Sequence, residues 1–211
     1  MKNYRLYLIR HGLTTANTER FYAGSGTDVE LCSEGISQLH ELKELFEYPR
    51  VNTVFSSPMK RAVETSEILF PDAKNKIVLD VLTENNFGEF EGKKMDELKS
   101  NDHFNKWINP NEHYTPIGAE SAIDFNTRTQ QAFLQIFEYM IKAQIYEAAC
   151  VTHGGVIMSM LSAHAMPKRL PEQWMADAGC GYAIMTSAEM IMRDKIGEAY
   201  EIIPRGYFRD E

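Results

Sequence analysis

The chain has 211 residues, a length that predicts one domain, or one domain with a sizeable insertion, and argues against two independent domains. Hydrophobic residues make up 44% of the chain and charged residues 25%, which excludes disordered, collagen-like and coiled-coil proteins. The net charge of -8 disfavours binding to nucleic acid and to anionic membranes. An anion bound by this chain must therefore meet a local positive pocket.

The cysteines and the N-terminal residues give an expectation for the cellular compartment. Cys32, Cys150 and Cys180 are widely spaced and form no CxxC pair, which indicates neither a disulfide framework nor a zinc cluster. The apolar run at residues 6–9 is far shorter than the roughly 20 residues that span a membrane, and it does not form a signal peptide. We therefore expect a cytoplasmic protein with no membrane or nucleic-acid partner.

In the first half of the chain, apolar patterns typical of strands and of helices alternate. The predicted elements are a strand at residues 4–9, a loop to about residue 32, an amphipathic helix capped by Ser33 that ends before Pro49, a strand at residues 53–56, a helix begun by Ser57 and Pro58, and a strand at residues 77–82.

The second half continues the alternation after a polar region that interrupts it. The predicted elements are a stretch rich in Gly and Glu at residues 84–92, an insertion at about residues 93–121, a long helix at 122–146, a strand at 148–152, a helix at 156–165, and edge strands at 181–186 and 199–203. This order favours an α/β fold with a mostly parallel sheet, in which sites form at the carboxyl ends of the strands.

Cationic and titratable side chains follow three of the predicted strands. Arg10 and His11 end the first strand, Arg61 lies one turn into a helix, and His153 follows the strand at 148–152. Each residue alone has an ordinary structural explanation. Their convergence in an acidic chain predicts a site for an anion.

Five sequence blocks extend this pattern in a fixed order. They are LIRHGLTTAN at residues 8–17, SSPMKRAVET at 56–65, LTENNFGEFEG at 82–92, GAES at 118–121 and THGG at 152–155. Together they resemble the motifs of the histidine phosphatase superfamily, also called the phosphoglycerate-mutase-like family.

The resemblance implies both a fold and a set of roles. The fold is a mostly parallel central sheet flanked by helices on both faces, in a single domain spanning residues 1–211 with a cap insertion at about 93–121. His11 is the nucleophile that becomes phosphorylated, and Glu84 is the general acid. The residues implied to hold the phosphoryl oxygens are Arg10, Arg61, His153 and Asn17, and Gly154 opens a helix whose first N–H groups favour an anion.

The chemistry of these side chains agrees with the implied roles. Planar Arg guanidinium groups bind phosphate oxygens through paired hydrogen bonds. Surrounding positive charge should lower the pKa of His11, and a bound dianion should raise the pKa of Glu84. Because cationic side chains hold the charge of the transition state, we expect no metal and no cofactor. Glu89 and Glu91 compete with Glu84 for the acid role, and motif position favours Glu84.

Two positions of this chain depart from the family pattern. Leu13 stands where the family usually has Glu or Gln, and Phe21 stands where it often has Arg. Within the insertion, His103, Trp107, His113 and Tyr114 have two open interpretations. They cap the site and set its specificity, or they pack the insertion against the body of the protein.

The function expected from the sequence is metal-independent hydrolysis of a small phosphomonoester through a phosphohistidine. One alternative is phosphoryl transfer of the phosphoglycerate mutase type, and another is a binding module for phosphorylated ligands without turnover. The substrate stays open among a sugar phosphate, phosphoglycerate, a nucleotide, α-ribazole phosphate and a phosphoprotein, and so does the oligomeric state.

Overall fold

A computed structural model describes residues 2–109, 112 and 114–208. The strands in this part of the chain are β1 (Asn3–Arg10), β2 (Thr53–Ser56), β3 (Asn75–Val78), β4 (Glu147–Thr152), β5 (Ala165–Met166), β6 (Gly181–Ser187) and β7 (Gly197–Ile203). They form one seven-stranded sheet in the order β3-β2-β4-β1-β6-β7-β5. All pairings are parallel except those of β6, which runs antiparallel to β1 and β7. The predicted mostly parallel sheet is confirmed.

Helices cover both faces of this sheet. They are α1 (Thr15–Glu19), α2 (Ser33–Leu45), α3 (Lys60–Leu69), α4 (Met95–Leu98), α5 (Asp102–Ile108), α6 (Ala122–Lys142) and α7 (Gly154–His164). Side chains of β1 alternate between the faces: Leu6 and Leu8 join the core with α6 and α7, whereas Tyr7 and Ile9 join the core with α2 and α3. No helix in the described ranges is long and apolar enough to cross a membrane.

Several boundaries differ from those that the sequence predicts. Helix α2 begins at Ser33 itself, with Cys32 in the capping position. Helix α3 begins at Lys60 and not at Ser57, whose hydroxyl lies 2.8 Å from a ring nitrogen of His153. The third strand ends at Val78, and a tight turn of 3-10 helix at Asp80–Leu82 follows it. This turn directs the fully buried Leu82 into the core below the chain that carries Glu84.

Strand β6 was expected at an edge, and this prediction is wrong. It pairs with β1 over residues 181–187 on one side and with β7 on the other. Nearly all of its side chains are buried, as expected for a strand with neighbours on both sides and helices above and below. Strand β7 contacts β5 only through its first two residues, so most of its outer edge is open.

The segment at 93–121 contains the short helices α4 and α5. Phe90, Leu98 and Phe104 form a small hydrophobic core of their own, and Tyr22, Phe87 and Trp107 pack against it. The segment is therefore held by aromatic contacts that are separate from the two cores of the sheet.

Candidate active site

The candidate site lies at the carboxyl ends of three neighbouring strands, β2, β4 and β1. The backbone N–H of His11 donates to the carbonyl oxygen of Thr152 at 2.9 Å, and that of Ser57 donates to Val151 at 3.0 Å. The register of the strands thus places His11, Ser57 and His153 side by side, immediately beyond the sheet.

The ring of His11 is held in one tautomer. Its Nδ1 lies 2.7 Å from the carbonyl oxygen of Gly12, and because a carbonyl can only accept, Nδ1 carries the hydrogen. Burial, together with the charges of Arg61 and Arg10, lowers the pKa of His11 to about 3. The Nε2 atom is consequently unprotonated and nucleophilic at neutral pH.

Arg61 is almost fully buried and is held by three acceptors. It donates to the carbonyl oxygens of Thr27 at 3.1 Å and Gly24 at 3.2 Å, and its Nε donates to Nδ1 of His153 at 3.3 Å. These contacts fix the plane of the guanidinium group before any anion arrives.

His153 lies behind His11, fully buried, with the two ring centroids 5.1 Å apart and nearly edge-on. Because its Nδ1 accepts from Arg61, its Nε2 carries the hydrogen and donates to the Ser57 hydroxyl at 2.8 Å. Burial and the neighbouring His11 and Arg61 hold the pKa of His153 well below its ordinary value. Its ring is therefore neutral.

A cavity of about 770 Å³ opens in front of these residues. The structure brings six of the predicted site residues to its lining, which are Arg10, His11, Asn17, Arg61, Glu84 and Gly154. His153 is not among the lining residues and lies in the layer behind them. Arg10, Arg61 and the N-terminus of α7 make one end of this cavity positive.

Asn17 is oriented toward this cavity by the turn that precedes it. Its Oδ1 accepts from both the backbone N–H and the hydroxyl of Thr14, each at 3.0 Å. With the oxygen occupied, the amide NH₂ group is left to donate to an anion.

Glu84 lies beside the positive end of the cavity and is mostly buried. Its Oε1 accepts from the N–H of Asn85 at 2.9 Å, and its Oε2 accepts from the N–H of Gly155 at 3.1 Å. Burial raises the pKa of Glu84, against the opposing effect of these hydrogen bonds and of Arg61 and Arg10. A carboxyl group with a raised pKa suits a proton donor.

Glu91 is occupied elsewhere. It accepts hydrogen bonds from the N–H groups of Gly24, Gly26 and Phe87 and from the Thr27 hydroxyl, at 2.6 to 3.2 Å. Gly24 and Thr27 are the residues whose carbonyls hold Arg61. Glu91 therefore organises the loop behind the positive end of the cavity, and both of its carboxylate oxygens already accept hydrogen bonds.

Glu89 joins the inserted segment to the chain near the site. His103 lies 3.2 Å from its carboxylate, and the Tyr114 hydroxyl and the Ile117 N–H donate to it at 3.2 and 3.1 Å. Its pKa is lowered, chiefly by the backbone N–H of Ile117. Glu89 is thus a structural anion, and His103 and Tyr114 pack the insertion against the body. His113 lies outside the described residues.

One residue near Glu84 has no recognisable signal in the sequence. Arg128 on α6 forms a paired ion bridge with Glu120 at 2.6 and 2.8 Å. It also donates to the backbone carbonyls of Val81, Thr83 and Glu84 at 2.8 to 3.1 Å. Its fork of donors ties the chain that carries Glu84 to α6, a contact between segments far apart in sequence.

Among the described residues, no group of three or more His, Cys, Asp or Glu side chains is placed to hold a metal ion. The three cysteines are buried free thiols.

Comparison with known proteins identifies the family of this chain. The model of the histidine phosphatase superfamily, branch 1, matches residues 6–189. The chain belongs to this superfamily. It is 29% identical over 185 residues to the adenosylcobalamin/alpha-ribazole phosphatase of Escherichia coli, a match that covers 85% of this chain and 89% of that protein.

Solved structures of histidine phosphatase relatives share the fold. The crystal structure of the alpha-ribazole phosphatase from Shigella flexneri superposes with a TM-score of 0.80 at 24% identity, covering 98% of this chain and 100% of that one. A phosphoglycerate mutase from Bacillus anthracis superposes with a TM-score of 0.72 at 21% identity, covering 94% and 92%. The predicted phosphoglycerate-mutase-like fold is confirmed, and membership of the superfamily confirms the expectation of a phosphatase.

Proposed function

We propose that this chain hydrolyses a small phosphomonoester through a phosphohistidine formed on Nε2 of His11, without a metal ion. The observation that carries the proposal is the hydrogen bond from Nδ1 of His11 to the Gly12 carbonyl. It leaves Nε2 with a free lone pair in the cavity where Arg10, Arg61 and Asn17 converge.

The reaction takes two in-line displacements. In the first, Nε2 of His11 attacks phosphorus, the ester P–O bond breaks, and Glu84 gives its proton to the departing alcohol. In the second, Glu84 takes a proton from water, the water oxygen attacks phosphorus, and the P–N bond breaks to release inorganic phosphate. His11 then returns to its neutral form and Glu84 is again protonated.

The groups around His11 stabilise the charge on the phosphoryl oxygens. Arg10, Arg61, the Asn17 amide and the N-terminus of α7 at Gly154 supply this stabilisation. For His153 we propose that its Nε2–H donates to a phosphoryl oxygen when the anion displaces the Ser57 hydroxyl, which this N–H contacts at 2.8 Å in this structure. A cluster of cations repels a divalent metal ion, which supports a metal-free mechanism.

The inserted segment at 93–121 is proposed to cap the cavity within a single domain. Met95 and Trp107 from this segment line the cavity that also contains His11. Trp107 therefore combines the two roles considered for it, because it also packs on the aromatic core of the segment.

Buried free cysteines accord with the reducing cytoplasm, which we propose as the compartment.

Hydrolysis is favoured over mutase chemistry by the cavity lining. A phosphoglycerate carboxylate needs a cationic partner apart from the phosphate-binding groups. Among the described residues that line the cavity, Arg20 is the further cation, and its side chain is exposed to solvent.

An unprotonated Nε2 on His11, beside the Glu84 carboxyl group with its raised pKa, favours an enzyme over a binding module.

Turnover of p-nitrophenyl phosphate and a panel of alkyl phosphates tests the proposal. We expect release of inorganic phosphate at a rate unchanged by EDTA and inhibited by orthovanadate, which mimics the five-coordinate phosphoryl group. Loss of activity in EDTA followed by recovery with magnesium or zinc would overturn the metal-free mechanism.

A further inference from the structure

Apolar side chains line the part of the cavity that the phosphate-binding groups do not. We call this part the outer chamber and define it by Phe21, Tyr22, Phe87, Met95, Trp107 and Met158. Pockets of roughly 300 to 1,000 Å³ hold drug-sized molecules, so a cavity of about 770 Å³ has room for much more than a phosphate group and a short alkyl chain.

The aromatic wall of the outer chamber is preformed. Ring centroids of Tyr22 and Phe87 are 5.2 Å apart, those of Tyr22 and Trp107 5.8 Å, and those of Phe87 and Trp107 5.7 Å, all in edge-on contacts. Phe90 and Phe104 support these rings from behind. Because these rings hold one another in place, they present apolar surface at little entropic cost on binding.

Charged groups are scarce in the outer chamber. The charged side chains among the described lining residues are Arg10, Arg61 and Glu84 at the phosphate-binding end, and Arg20 at the solvent-exposed side. Among the same lining residues, the uncharged hydroxyl and amide side chains are those of Thr14, Asn17, Tyr22 and Asn85, so a carboxylate or a sugar with many hydroxyls would lose hydration here and gain few partners. An uncharged ring would instead be transferred from water to an apolar surface.

We propose that the leaving alcohol of the substrate carries a flat, uncharged ring system that packs against Tyr22, Phe87 and Trp107. This inference rests on the proposed function for the phosphate-binding end of the cavity, and it assigns the other end to recognition of the alcohol. The outer chamber then discriminates among phosphomonoesters by the apolar surface of their alcohols.

The test compares three primary alkyl phosphates whose leaving groups are of the same kind: naphthylethyl phosphate, ethyl phosphate and the phosphate ester of hydroxypropanoate. We expect kcat/KM for the naphthylethyl ester to exceed that for ethyl phosphate by about a hundredfold or more, because a buried aromatic ring contributes strongly to binding. The carboxylated ester should be hydrolysed less efficiently than ethyl phosphate.

A gain of function separates this inference from simple damage to the fold. Phe21 is partly exposed in the cavity, and within the described residues it belongs to none of the close aromatic ring pairs, so its replacement leaves the aromatic wall in place. Phe21→Arg should raise kcat/KM for the carboxylated ester by about tenfold and lower it for the naphthylethyl ester. Tyr139→Ala truncates a half-exposed aromatic residue outside the cavity. It should change kcat/KM for neither the carboxylated nor the naphthylethyl ester.

The outcomes distinguish this inference from the proposed function. Equal kcat/KM for the naphthylethyl and ethyl esters would overturn the inference while turnover upholds the proposed function. If no ester is hydrolysed, the proposed function fails, and calorimetry with naphthylethylphosphonate and ethylphosphonate decides the inference instead. A Kd at least about tenfold lower for the naphthyl compound supports the outer chamber, and equal values contradict it.

Discussion

The backbone N–H of Gly155 donates to Oε2 of Glu84 at 3.1 Å, and a Cβ atom at position 155 would lie 2.5 Å from Oε1 of the same carboxylate. The Glu84 carboxylate can therefore keep this position only if the second residue of α7 lacks a side chain. Glu84 and the opening of α7 are packed as one unit beside the positive end of the cavity.

Gly155→Ala should displace the Glu84 carboxylate. Because a proton donor must stay within hydrogen-bond reach of the leaving oxygen, we expect kcat/KM for alkyl phosphates to fall by about ten- to a hundredfold. Steady-state kinetics measures the loss, and thermal unfolding checks that the variant is folded. In a Glu84→Gln background, Gly155→Ala should lower kcat/KM by a much smaller factor. If the losses from the two substitutions were fully additive, position 155 would act independently of Glu84.

Arg128→Lys tests the tie between α6 and the chain that carries Glu84. Lysine keeps the charge opposite Glu120 but cannot reach the carbonyls of Val81, Thr83 and Glu84 together. We expect kcat/KM to fall by about tenfold for alkyl phosphates and less for p-nitrophenyl phosphate. Equal losses for both ester types would indicate that Arg128 supports the fold in general and has no particular effect on the acid.

Glu84→Gln removes the transferable proton while keeping the size of the side chain. An alkoxide leaving group needs this proton, whereas a nitrophenolate leaves without it, so kcat/KM should fall at least about a hundredfold for alkyl phosphates and far less for the aryl ester. Glu89→Gln and Glu91→Gln serve as comparisons, and a leaving-group-dependent loss in either would relocate the acid.

The low pKa of His11 makes folding stability depend on pH. Its pKa is about 3 in the folded protein against 6.5 for the free side chain, so the unfolded chain takes up the proton first as pH falls. The contribution of neutral His11 is complete above about pH 6.5 and is lost progressively below it. Between about pH 7 and pH 4.5, the free energy of unfolding of the native protein should fall by about 2 to 3 kcal/mol more than that of His11→Gln, as measured by urea denaturation. Parallel pH profiles for the two proteins would contradict a depressed pKa.

Local patterns in the sequence predict most of the fold. Apolar runs such as residues 4–9 and 148–152, and the helical stripe of α6, correspond to observed elements because burial on one or both faces imposes their period. One error lies at the candidate site, where Ser57 contacts His153 and does not begin a helix. The interior place of β6 depends on pairing with β1, which no local pattern records.

The sequence likewise predicts some residues of the candidate site and gives no sign of others. Arg10, His11 and Asn17 lie within one block that resembles a motif of the histidine phosphatase superfamily, and this resemblance implies that they share a site. The supports behind them join segments far apart in the chain, as in the contact of Arg128 with the Glu84 carbonyl. Glu91 likewise supports Arg61 through a loop. Such contacts follow from tertiary packing and leave no signal in the spacing of residues.

The phosphohistidine on His11 is tested most directly by trapping it. The native protein is mixed briefly with a radiolabelled phosphomonoester, quenched in alkali and digested for peptide mapping. We expect one phosphoryl group on His11, labile in acid and stable in base, and neither label nor turnover in His11→Gln. Label on another residue, or activity of His11→Gln within about tenfold of the native protein, would contradict the proposed mechanism.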